Sequence, residues 1–78
     1  MKYNKDRVEE TVLALLYLTS SHDQYGTRAW KGFDVGVLER LFEKGYISDP
    51  QIKSPTVVLS EEGAKLSKEF FFKVFGTN

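Results

Sequence analysis

The segment "ERLFEKGYISDP", Glu39 to Pro50, restricts the fold of this chain more than any other stretch. Before Gly45 its apolar residues recur at helical spacing; after Gly45 they do not. Lys44 stands where a cation favours the negative end of a helix dipole. Gly45 can take the left-handed conformation that closes a helix at the C′ position, and Tyr46 then folds back toward Leu41 as in a Schellman motif. Tyr46 and Ile47 lead into a strand, and Asp49-Pro50 turns the chain away from helix. "SPTVVLS", Ser54 to Ser60, reads as the returning strand by its β-branched content. Pro55 belongs at its beginning or on an edge, and "SDPQIKSP" between the two is a loop of hairpin length.

Helices flank this hairpin. The spacing of Val8, Val12, Leu15, Leu16 and Thr19 predicts a helix from about Asp6 to Ser20, with Asp6 and Glu9 at the spacing of a capping box. Leu13, Tyr17 and Leu18 widen its apolar face. "SSHDQYG" breaks the pattern and is turn-like, and "TRAW" offers at most a single helical turn before Gly32. Asp34 caps a second helix with Val35, Leu38, Leu41 and Phe42 as its inward stripe; Phe33 and Leu38 take the positions of a hydrophobic staple. Ser60 caps the last helix, Glu61 and Glu62 place negative charge at its positive end, and Gly76 stops it after Phe75.

With 78 residues and no cysteine, the chain reads as one domain, 1–78, near the lower size limit for folding without staples. Eleven basic residues balance eleven acidic ones, so the basic excess usual in partners of polyanions is missing. The longest apolar run, Val12 to Leu18, is far short of the roughly 20 residues that span a bilayer. It follows acidic Glu9 and Glu10 instead of a basic leader, so the expectation is a cytoplasmic chain with no membrane attachment.

The patterns "LERLFEKGYIS" and "TVVLSEEG" resemble the second half of a winged-helix domain, where the first ends the reading helix and the second runs from the wing into the final helix. The expected class is α+β, winged-helix-like, in the order helix–loop–helix–β-hairpin–helix with a truncated second helix. Across nearly the whole chain, "LALLYLT", "RAWKGFD", "RLFEKGYISDP" and "VVLSEEG" resemble a small uncharacterised bacterial family of unknown function. The chain departs from that pattern at Val35 and Gly36, where an aromatic and an acidic residue are usual, and at Phe42, where histidine is common. The resemblance implies no established activity.

Chemistry finds little purchase. Ser20, Ser21, His22 and Asp23 name the parts of a nucleophile triad, but consecutive residues do not reach the mutual geometry that such chemistry needs. One histidine without cysteine does not make a structural zinc site, and the isolated glycines form no phosphate cradle. Glu9-Glu10 and Glu61-Glu62 fall at expected helix starts, where the dipole explains them. The expectation is a protein that is not an enzyme and needs no metal or cofactor.

Binding residues are easier to nominate. In the last helix Leu66, Phe70 and Val74 form one stripe, Phe71 and Phe75 flank it, and Phe72 points away from it. This makes Phe71, Phe72 and Phe75 candidates for self-association, with a homodimer through the first and last helices as the expected partner state and an unidentified protein partner beside it. Trp30, near Tyr25 and Phe33, is expected to fill the space left by the truncated helix; its other reading is an interface anchor. The alternative function is nucleic-acid binding through Arg28, Lys31, Arg40 and Lys53. Only Arg40 on the presumptive reading helix suits a bidentate contact with guanine, so duplex DNA is not the favoured partner.

Overall fold

A computed structural model describes residues 2–24 and 26–77. The elements follow in the order α1 (Lys5–Leu18), β1 (Ser21–Asp23), β2 (Gly26–Trp30), α2 (Val35–Glu43), β3 (Thr56–Leu59) and α3 (Glu61–Phe75). The three strands form one antiparallel sheet in the order β1-β2-β3. Three helices with this small sheet make an α+β arrangement compatible with a winged-helix-like topology.

The exit from α2 has the geometry its sequence demands. Gly45 has φ 79°, its N–H donates to Phe42 O at 2.9 Å, and Tyr46 N–H donates to Leu41 O at 3.1 Å. Those two bonds satisfy carbonyls that the helix end would otherwise leave unpaired. The Ser60 hydroxyl then joins this exit to the next helix. It donates to Gly45 O at 2.7 Å and accepts from Gly63 N–H at 3.0 Å as the N-cap of α3.

The returning strand is also present, but its first leg is shorter than expected. Ser60 N–H donates to Tyr46 O and Ser48 N–H to Val58 O, yet Ile47 makes only an isolated bridge to Leu59. The Ser48 hydroxyl takes over the Val58 N–H at 2.9 Å, and Asp49-Pro50 then leads the chain off. The principal partner of β3 is β2, with Ala29 opposite Val57 and Thr27 opposite Leu59.

That pairing corrects the reading of Ser20 to Gly32. "TRAW" is strand and not a helical turn, and "SHD" pairs with it as an antiparallel hairpin. The signal was inverted: small Ala29 faces the core while the large Trp30 faces out, so ordinary apolar alternation is missing. Tyr25 lies outside the described residues.

The core joins Val12, Leu13 and Leu16 of α1 to Leu38 and Leu41 of α2, and to Ala29, Ile47, Val57 and Leu59 on the sheet side. Full burial of each leucine contributes about 1.5–3 kcal/mol. The capping box is replaced as well. Asn4 caps α1 by accepting from Arg7 N–H at 3.1 Å, and Glu9 turns inward instead of reaching back. On α2, Leu38 and Leu41 are buried, whereas Val35 and Phe42 of the expected stripe are exposed. The helix is rolled toward Val37, Arg40 and Lys44, the side on which two cations reach Glu9.

Gly63 marks the tightest junction between α3 and the α2 exit. A Cβ there would lie 2.0 Å from the Tyr46 carbonyl oxygen, which is backbone and already bonded to Ser60 N–H. Gly63→Ala is expected to destabilise the fold by roughly 1–3 kcal/mol despite alanine's better helix propensity. Chemical denaturation compares the two proteins; equal midpoints would show that α3 can slide away from Tyr46 at no cost.

Candidate functional site

Four rings gather where the end of α1 meets the end of α3. Tyr17 lies 5.2 Å from Phe71 and 5.7 Å from Phe72, centroid to centroid, and Phe71 lies 5.4 Å from both Phe72 and Phe75. These tilted and edge-on arrangements suit the ring quadrupoles. The cluster is not a core: Phe72 is 53% exposed and Phe75 44% exposed. Phe71, Phe72 and Phe75 are therefore brought together as the helical spacing implies, with Tyr17 as an added member. Phe72 faces solvent, although its ring still leans on Tyr17.

The four nominated cations are not brought together as a free basic strip. Lys31 extends its ammonium to the carbonyls of Pro50 and Ile52 at 2.8 and 2.6 Å, holding the loop before β3. Arg40 Nε donates to Glu9 Oε2 at 2.6 Å. Arg28, on the outer face of β2, and Lys53, in the loop, are exposed.

Arg40 belongs to an ion cluster that the sequence reading missed. Glu9, only 2% exposed, receives Arg40 on one oxygen and Lys44 Nζ at 2.6 Å on the other. Asp6 stands 4.0 Å from Arg40 and 3.9 Å from Lys44 at the rim. The cluster borders an open cleft of about 330 Å³ whose walls include Glu10, Tyr46 and Phe70. Burial by itself raises the Glu9 carboxyl, but Lys44 and then Arg40 outweigh it and hold the group below the ordinary value of 4.5. The close contact with the Glu9 carboxylate is the main cause holding the Lys44 ammonium above 10.5, against a smaller opposing effect of burial.

Trp30 corrects the packing expectation: it is 55% exposed. Its indole lies over Gly32, in the space a side chain there would need, and meets Phe33 edge-on at 6.3 Å. It is exposed because β2 turns Arg28 and Trp30 outward and Ala29 toward the core. His22 is exposed and pairs through Nδ1 with Thr27 Oγ1 at 2.8 Å across the hairpin. Among the described residues no group of three or more histidine, cysteine or acidic side chains is placed to hold a metal ion, and no helix is long and apolar enough to cross a membrane.

The ion cluster sets a pH dependence. The folded value of Glu9 is depressed, so its stabilisation is complete above pH 4.5 and is lost as the pH falls through the lower folded value. The folded value of Lys44 is raised, so its share is complete below pH 10.5 and is lost as the pH rises through the higher folded value. Glu9→Gln is expected to lower stability at neutral pH by about 1–3 kcal/mol, the range for a charged hydrogen-bonded group losing its ionisation. The variant should also lose less stability than the parent on going to acid. Urea titrations across pH check both, and parallel acid limbs would remove Glu9 from the account.

Comparison with known proteins places the chain. It is similar to the uncharacterised protein y4hR of Sinorhizobium fredii (strain NBRC 101917 / NGR234), at 43% identity over 75 residues, covering 96% of this chain and 97% of that protein. No solved structure matches the chain at a significant level. The model of the family named Domain of unknown function (DUF6429) matches residues 4–77, and the chain belongs to that family.

Proposed function

We propose that the chain is a non-enzymatic, cytoplasmic binding module that contacts another protein surface through Tyr17, Phe71, Phe72 and Phe75. One observation carries the reading: four linked rings stand at the molecular surface with two of them about half exposed. Aromatic side chains dominate the energetic centres of protein interfaces, and clustered exposed apolar groups mark such sites. The nucleic-acid alternative draws less support. Two of its four cations already hold internal partners, and the net charge is zero. Phosphate contacts supply most of the affinity for duplex DNA, which leaves Arg28 and Lys53 a modest share.

The test immobilises the purified chain and its Phe72→Glu variant and passes nuclease-treated extract of the native bacterium, the chain's own copies included, over both. The variant gives up the Phe72 ring contacts with Tyr17 and Phe71, so circular dichroism first establishes that it keeps the parent's helical fold. Retention on the variant is expected to fall at least about tenfold, the effect of removing one aromatic anchor of about 1.4 kcal/mol or more. Equal retention on both would sink the aromatic-surface reading. Tight binding of duplex DNA in a filter assay at physiological salt would transfer support to the alternative.

A further inference from the structure

The open cleft beside Glu9 combines an acidic lining with an apolar one. Buried Leu13 and Leu41 and half-buried Tyr46 and Phe70 supply its carbon surface. Asp6, Glu9 and Glu10 bring three carboxylates to it against one cation, Lys44. Glu10 is half-buried and has no ion pair among the described residues. With Arg40 counted from the other side of Glu9, acids still outnumber bases three to two. The atom that matters most is Glu9 Oε1. Oε2 is engaged by Arg40, which borders a separate hollow and not this cleft. Oε1 lies on the Lys44 side, where the ammonium approaches to 2.6 Å without the direction of a hydrogen bond. Among the described residues no donor bonds this buried oxygen. Buried acceptors without a hydrogen bond are rare in folded proteins, rarer still when they carry charge.

We propose that this cleft binds a small organic cation, a primary ammonium on an apolar or aromatic body, whose N–H donates to Glu9 Oε1 in place of Lys44. Lys44 is tethered to the end of α2, whereas a free ligand can align its N–H with the oxygen. One added positive charge also evens the balance of three acids and two bases. The displaced Lys44 has a partner within reach, because its ammonium already stands 3.9 Å from Asp6 Oδ1. Tyr46 and Phe70 suit such a ligand both as apolar contacts for its body and as π-systems for its charge. The three carboxylates are not placed to hold a metal ion, which favours an organic cation over an inorganic one. A volume of about 330 Å³ is at the small end for ligand pockets and admits a molecule of roughly ten non-hydrogen atoms. The cleft shares no residue with the Tyr17, Phe71, Phe72 and Phe75 ring cluster, and its chemistry stands apart from the protein contact proposed above.

The test titrates the isotope-labelled full chain with phenethylammonium and follows its backbone amides by heteronuclear NMR. Saturable shifts centred on Glu9, Glu10, Leu41, Lys44 and Tyr46 are expected, with a Kd of about 1 mM or below, in keeping with a ligand of this size. Phenethyl alcohol and hydrocinnamate, close in shape but neutral and anionic, are expected to bind at least about tenfold more weakly. Lys44→Met is expected to bind the ammonium about tenfold more tightly, because the resident cation no longer competes for Oε1. Absence of saturation up to about 10 mM overturns the site, as does equal binding of the alcohol or the carboxylate. Shifts centred on Tyr17, Phe71 and Phe72 overturn it too, by moving the amine to the ring cluster. A folded Lys44→Met that binds no better than the parent overturns the exchange at Glu9. If circular dichroism shows that this variant does not fold, the comparison of the three ligands on the parent still decides.

Discussion

The hydroxyl of Ser60 is the point on which the arrangement turns. It gives its proton to the carbonyl that ends one helix and takes a hydrogen bond from the amide that begins the next. Two sets of backbone groups that helix ends leave unpaired are satisfied through one oxygen. The geometry works only because Gly45 turns the chain left-handed and because Gly63 has no side chain to strike Tyr46. With α2, β3 and α3 fixed to one another there, α1 has a defined surface on which to pack.

The attachment of α1 to α2 uses a different kind of force. Glu9 lies on the same inward line as Val12, Leu13 and Leu16, so packing α1 onto the core carries a carboxylate inside with it. Removing that charge from water is costly unless cations follow, and Arg40 on α2 and Lys44 at its C-cap, four residues apart, supply them. The cations keep part of their side chains in solvent, which lowers their own desolvation cost. Their reach also explains why α2 buries Val37 more deeply than Val35 or Phe42. In a domain this small, one charged contact can set the roll of an entire helix.

These cases show what could be read from sequence and what could not. The Gly45 exit and the Asp34 and Ser60 caps involve partners within a few residues, so local composition specifies them. The aromatic surface was readable for a similar reason, since positions 71, 72 and 75 share one end of one helix. The β1–β2 hairpin was not, because its strand is held by β3 some thirty positions later and its large and small residues face opposite to habit. Glu9 was assigned to a cap because Arg40 lies thirty-one residues away. An acidic residue at helical spacing with Val12 and Leu16, together with cations four apart on another helix, was the available signal. Trp30 was expected inside on the strength of its size, while its exposure follows from the strand parity set by Ala29.

That outward indole has a practical consequence. Trp30 is the chain's single tryptophan, and it sits at the sheet end over Gly32, while the tyrosine and phenylalanine cluster occupies the helix ends. Its emission is thus an intrinsic optical gauge of the ribbon side alone, whereas far-ultraviolet dichroism is dominated by the three helices. Monitored in parallel during denaturation, the two signals ask whether so small a body melts as one unit or as two.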